Sequence, residues 1–166
     1  MTAPEHDLLS VVSIRADADL VWHAWTRPER VTAWFAPEAV VEPRVGGAFE
    51  LYFIPGNRSS MNTRGCRITA LAPPAPAAPG VLEFTWRAPD EFAELMNGPD
   101  ELTHVRVLVC SEDDGGAQVE VTHSGFGHSA AWQQARAWHA MAWDQALGSL
   151  KQALETGAGE LCCLPD

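Results

Sequence analysis

Lysine is nearly missing from this sequence of 166 residues: Lys151 stands alone, and ten arginines, scattered along the chain, supply the rest of the positive charge. A nucleic-acid surface needs basic side chains gathered in a patch, and a formal net charge of −11 argues against that partner. Long apolar runs are missing as well. None approaches the roughly 20 residues that span a bilayer, so no membrane partner is expected. The opening residues, MTAPEHDLL, lack the basic stretch and apolar core of a secretory leader, which places the expected location in the cytoplasm. Cysteine is sparse. Cys66 and Cys110 sit singly in apolar segments, where buried reduced thiols are common. Cys162 and Cys163 are adjacent, which is not the C-x-x-C spacing of a zinc knuckle or a thioredoxin-type site. All four read as reduced thiols of minor structural weight. His123 and His128 have no third ligand at a metal-compatible spacing unless His104 folds nearby, so no metal and no other cofactor is expected. Ser124 beside these histidines is too little for a nucleophilic triad. No internal repeat and no second domain is visible. The length suits one domain over residues 1–166, with a core from about 8 to 156 and a flexible tail over 157–166.

What is present is a globular composition, 46% hydrophobic and 20% charged. Leu8–Ile14 is a β-rich run that ends at Arg15-Ala16-Asp17, where Asp17 or Asp19 is placed to cap a helix. In that helix Val21, Ala24 and Trp25 share a face, and Pro28 ends it, since the residue before a proline avoids helical angles. Thr26-Arg27-Pro28-Glu29 has the form of a capping box for a second short helix, with Val31, Trp34 and Phe35 on its apolar side. The pattern then turns to strands: Ala39–Glu42, Ala48–Ile54 after the Gly46-Gly47 turn, Arg64–Leu71, Val81–Arg87, and two runs either side of EDDGG that carry Val105, Val107, Val109 and Val119, Val121, His123. APPAPAAPG, residues 72–80, is too rich in proline for a ladder and reads as a loop; residues 88–101 read as another, with one helical turn near Glu91–Met96. A long helix, about Ala130–Glu155, closes the pattern, with Gly157 as its cap. Its stripe is Trp132, Ala135, His139, Trp143, Ala146, Leu147, Leu150 and Leu154. A curved antiparallel sheet with one apolar face needs a cover, and this helix is the only element long enough to provide it. The fold class is α+β.

VWHAWTRPERVTAWFAP, residues 21–37, resembles the V-W-x-A-x-T-x-P-E-x-x-x-x-W-F signature of the START-like superfamily, in the branch named for the activator of heat shock protein 90 ATPase. EPRVGGAFEL at 42–51, LEFTWR at 82–87, VEVTHSGF at 119–126, and Trp143 with Leu147, Leu150 and Leu154 follow in the family's order. The resemblance runs from about Leu8 to Glu155 and implies the helix-grip fold: an antiparallel sheet curled around the last helix, usually with an internal cavity for apolar ligands. It also implies two alternatives, a co-chaperone module in stress responses and an enzyme of the cyclase or hydrolase type. Arg27 stands where the family has a small polar cap, which shifts the expected cap to Thr26. Phe92, Leu95 and Met96 make residues 88–101 a candidate lid.

Trp25, Trp34 and Phe35 read as packing of the helical corner, and Trp22, on another face, as exposed or at the cavity entrance. The pocket candidates from the sheet are Phe49, Leu51, Phe53, Leu82, Phe84, Trp86, Val105 and Val107, with His123 approaching the same space; the long helix offers Trp132, His139 and Trp143. Such an apolar lining with few polar groups suits a small aromatic or lipid-like ligand. A filled core uses the same residues, and the sequence does not separate the two. His139 and His123 suit either orientation of a ligand, acid–base chemistry, or internal hydrogen bonding; no inward carboxylate pairs with them, so no catalytic residue is assigned. Gly125-Phe126-Gly127-His128-Ser129-Ala130 fits G-x-G-x-x-A, but no strand follows the helix it opens, so a dinucleotide site is not expected.

Overall fold

The computed structural model describes residues 7–98, 102–157 and 159–165. The first residues read for a leader, the end of the 88–101 loop and parts of the supposed tail lie outside them. β1 (Leu8–Ile14) ends where Asp17 accepts a hydrogen bond from the Asp19 amide at 2.8 Å and opens α1 (Ala18–Thr26). Pro28 then fixes the next turn. Arg27 is extended ahead of it (φ −111, ψ 125), and Pro28 begins α2 (Pro28–Val31) where its missing N–H costs nothing. The capping box expected from Thr26 does not form. The Thr26 hydroxyl donates instead to the Trp22 carbonyl at 2.9 Å, because α1 runs through Thr26 and leaves Arg27 as the junction.

Five antiparallel strands form the main sheet in the order β1-β7-β6-β5-β4, where β4 is Ile68–Ala72, β5 Gly80–Trp86, β6 Thr103–Ser111 and β7 Ala117–Ser124. A hairpin of β2 (Glu38–Val41) and β3 (Phe49–Tyr52) continues it beyond β4, through an Ala48–Arg67 bridge and a Phe49 amide bonded to the Cys66 carbonyl at 2.9 Å. Period-two patterning fixes which residues face inward. Phe84, Val105 and His123 stand side by side across β5, β6 and β7, and Leu82, Val107 and Val121 form the next row. The loop over 72–80 is tighter than its prolines suggest: Ala72 and Gly80 belong to β4 and β5, and Ala75 and Ala78 exchange backbone hydrogen bonds within it.

α4 (Ala130–Thr156) lies against the inner face of the sheet, capped by Ser129 and ended by Gly157 at φ 66. Ala135, His139, Trp143, Leu147, Leu150 and Leu154 are its buried stripe. Along the free edge of β1, Lys151 donates to the Ser13 carbonyl at 2.7 Å, and Ser10 donates to Asp144 at 2.6 Å, so polar side chains of α4 cover an edge otherwise open to pairing. α3 (Ala93–Met96) follows a 3-10 turn at Asp90–Phe92. After Gly157 a second 3-10 turn, Gly159–Cys162, places Leu161 in the core at 1% exposure, so the segment expected to trail freely is anchored there. Cys162 and Cys163, expected as reduced thiols, are joined as a disulfide between neighbouring exposed residues. Cys66 is free and buried, and burial pushes its thiol up to about 11.

Candidate functional site

The inward row that starts at Phe84 ends in a polar cluster. His123 is fully buried, and its Nδ1 accepts the Trp143 indole N–H at 3.1 Å. An indole nitrogen only donates, so the imidazole proton sits on Nε2, 2.7 Å from Thr103 Oγ1. His139, one turn of α4 before Trp143, repeats the arrangement in the other tautomer. Its Nε2 accepts from the Trp86 indole at 3.2 Å, and its Nδ1 donates to the Ala135 carbonyl at 2.7 Å. The two imidazole rings are 5.2 Å apart and perpendicular. Burial drives both histidines below the ordinary 6.5; for His123 the His139 and His104 charges add to it, and for His139 the Ala135 carbonyl works the other way. Both are neutral, fully hydrogen-bonded groups.

Next to this cluster the structure leaves a cleft of about 280 Å³. One wall is the helical corner, Trp34 and Phe35; Phe53, just past β3, and Trp86, at the end of β5, close another; α4 supplies His139, Ala142, Trp143, Gln145, Ala146 and Ser149. Phe35 is the centre of the aromatic lining. It stacks on Trp34 at 4.6 Å, lies nearly parallel to Trp86 at 6.4 Å, and meets Trp143 edge-on at 5.7 Å. Ala142 and Ala146, one turn apart on α4, leave the space that bulkier residues would fill. A larger hollow of about 500 Å³ lies on the other side of the corner, but prolines and the charged Arg27 and Glu29 form much of it, and Trp22 is its one aromatic ring.

Of the sheet residues singled out from the sequence, Phe53 and Trp86 reach the cleft; of those on the long helix, His139 and Trp143 do. Phe49, Leu51, Leu82, Phe84, Val105 and Val107 do not. Each has 0% exposure, and Phe49 and Phe84 stack on each other at 4.0 Å as solid core. His123 lies behind Trp143, and Trp132 packs against Phe126 at 6.0 Å, away from the cleft. The corner, expected mainly as packing, also builds one wall of the cleft: Trp25 is wholly interior while Phe35 is half-buried. Trp22 is neither exposed nor at this mouth. It is 6% exposed and held against Gly80, where an added Cβ would lie 2.9 Å from its ring. Phe92, Leu95 and Met96 do not cover the cleft either. Met96 has 0% exposure, Phe92 packs on Trp138 at 5.8 Å, and the Asn97 side chain pins the loop to both main-chain groups of Ala88 at 2.7 and 2.9 Å. Trp34, Phe35, Ala142, Gln145, Ala146 and Ser149 are the lining residues that sequence reasoning left out. A pair of alanines beside the bulky His139–Trp143 stripe was the available signal.

The glycines of the G-x-G-x-x-A match serve the turn into α4. Gly125 takes a φ of 101, and a Cβ on Gly127 would meet Trp132 Cδ1 at 2.6 Å. Among the described residues no three His, Cys, Asp or Glu side chains converge as a metal set, and no helix is long and apolar enough to cross a membrane.

A curled antiparallel sheet gripping one long helix, with an aromatic cleft between the helix and a helical corner, defines a helix-grip protein. The family of activator of Hsp90 ATPase homolog 1-like proteins matches residues 15–155, and the chain belongs to it. The fold is similar to that of protein MLL2253 from Mesorhizobium loti (20% identity, TM-score 0.69, 90% of this chain and 97% of that one). It is also similar to Aha1 from Colwellia psychrerythraea, a dimer in solution (18%, 0.64, 92% and 98%). An AHSA1-like protein from Aeromonas hydrophila has the same fold (21%, 0.64, 91% and 93%). No curated protein matches the chain in sequence.

Proposed function

We propose that the protein binds a small apolar ligand, aromatic in character, in the cleft between the corner and α4, in the cytoplasm. The carrying observation is the lining: five aromatic rings around about 280 Å³, with two alanines on α4 keeping the space open. Burial of ligand surface there is worth roughly 25 cal/mol per Å², and the few polar groups at the mouth fix its orientation. Native mass spectrometry of the purified protein should show a mass excess that denaturation removes. Ala146→Leu fills the cleft from its solvent side and should leave the fold intact while abolishing both this excess and the quenching of tryptophan fluorescence by an apolar probe such as 2-methoxynaphthalene. Unchanged probe affinity in a folded Ala146→Leu variant would refute the reading.

Family membership favours a second reading, a module that stimulates the ATPase of heat shock protein 90; addition of the protein to the purified chaperone should then raise its hydrolysis rate. A cyclase or hydrolase role for His123 or His139 has less support. Both ring nitrogens of each are engaged inside the protein, and acid–base work by either would break a bond it already makes.

A further inference from the structure

The polar atoms of the cleft carry information about its ligand. All three indole N–H groups around it are turned inward: Trp34 donates to the Ala24 carbonyl at 2.8 Å, Trp86 to His139, and Trp143 to His123. His139 has both nitrogens occupied. None of the lining side chains is ionised. Asp144, the carboxylate next in sequence to Gln145, is turned to the opposite side of α4, where it accepts from Ser10 at 2.6 Å.

Two polar side chains are left, Gln145 and Ser149, four residues apart on one face of α4. Ser149 donates its hydroxyl proton to the Trp34 carbonyl at 2.9 Å, so toward the cleft it offers only lone pairs. The Gln145 amide makes no hydrogen bond to another described residue and offers both a donor and an acceptor.

Resting on the cleft as the ligand site, we propose that the Gln145–Ser149 pair selects an uncharged aromatic ligand whose ring bears a neutral group that both donates and accepts, as a phenol or an aryl amide does. Such a group donates a hydrogen bond to Ser149 Oγ or the Gln145 carbonyl and accepts one from the Gln145 amide N–H. A carboxylate finds no cation here, and leaving its charge partly desolvated is costly. An ammonium finds no carboxylate and is left with the ring faces, several of which are already covered by other rings.

The test is isothermal titration calorimetry near neutral pH with one ring system and varied substituents: 2-naphthol, 2-naphthamide, 2-methoxynaphthalene, 2-naphthoate and 2-naphthylmethylammonium. The naphthol and naphthamide should bind about tenfold more tightly than the methoxy compound, the size of one net hydrogen bond. They should exceed both ions by at least as much. Gln145→Leu combined with Ser149→Ala, checked for unchanged thermal unfolding, should abolish the preference, so that naphthol and methoxynaphthalene bind this variant equally. Equal binding of naphthoate or of the ammonium would overturn the selection while leaving the cleft reading intact, as would a double variant that keeps the wild-type preference for naphthol. Binding of none of the five would overturn the cleft reading, and this proposal with it.

Discussion

Acidification should destabilise this protein well before its carboxylates are protonated. Burial lowers the folded-state pKa values of His123 and His139 below the 6.5 of an unfolded histidine, and the indole N–H that each accepts suits the neutral form. As pH falls, the unfolded chain takes up protons that the folded chain refuses. Stability is therefore complete above about 6.5 and is lost progressively as pH drops toward the folded values. For a histidine that stays neutral when folded, the loss between about pH 7.5 and 5.5 amounts to roughly 1.4 kcal/mol, or about 3 kcal/mol for the pair at most. His23, a surface histidine lowered mainly by partial burial and then by Arg27 and Arg30, acts in the same direction and is removed from the comparison by His23→Gln. Glu155, held at about 2 chiefly by its hydrogen bond from Lys151, contributes stability that is present above 4.5 and lost only at far lower pH. Urea unfolding of His23→Gln at several pH values reads the effect directly. In Trp143→Phe the His123 Nδ1 loses its donor and is free to accept a proton, so that variant should be less stable near neutrality but show a shallower fall. A midpoint that does not move between pH 7.5 and 5.5 would refute the neutral-imidazole arrangement.

Phe84→Ala removes a ring with 0% exposure that stacks on Phe49 at 4.0 Å, and it should lower unfolding free energy by about 3–5 kcal/mol in the same urea assay. Gly127→Ala sets a methyl group against Trp132 at 2.6 Å, so the ring must shift; near-ultraviolet dichroism should change and stability fall by about 1–3 kcal/mol. The Cys162–Cys163 disulfide links neighbours and closes almost no chain, so reduction followed by alkylation should label two exposed thiols while the unfolding free energy changes by less than about 0.5 kcal/mol.

The longer elements of the fold were legible because they leave a periodic trace. The alternation of Leu82, Phe84 and Trp86 against Glu83 and Thr85 marks β5, and the stripe from Ala135 to Leu154 marks α4. The cleft was only half legible, because periodicity reports which face is inward and not how far the inward residues stand from one another. Phe84 and Trp86 share a face of one strand, yet Phe84 meets Phe49 across a filled core while Trp86, two residues on, borders open space. That difference is set by the hairpin and the corner, which come from distant parts of the chain. Phe35 illustrates the same limit. It follows Trp34 on a turn too short for a stable periodicity, so nothing local marks these two rings as a wall of the cleft while Trp25 packs inward.

The inward histidines, which invite a catalytic reading, have a more direct explanation in the chemistry of the cleft. Trp86 and Trp143 supply two of its five rings, and each carries an N–H that is costly to bury unpaired. Without acceptors in the core, those N–H groups would have to be left unpaired, hydrated by interior water, or turned toward the cleft. A neutral imidazole behind each indole removes the conflict: it accepts the N–H, and its own proton goes to Ala135 or Thr103. The polar layer in the core is thus what allows the tryptophans to present hydrocarbon to the cleft. It follows that replacing His139 by Leu, which keeps the volume and removes the acceptor, should leave the Trp86 N–H unsatisfied and perturb ligand affinity, although the histidine need never exchange a proton with the ligand. Replacement by Gln, whose carbonyl retains an acceptor, should restore much of that affinity, an outcome that acid–base catalysis by His139 would not give.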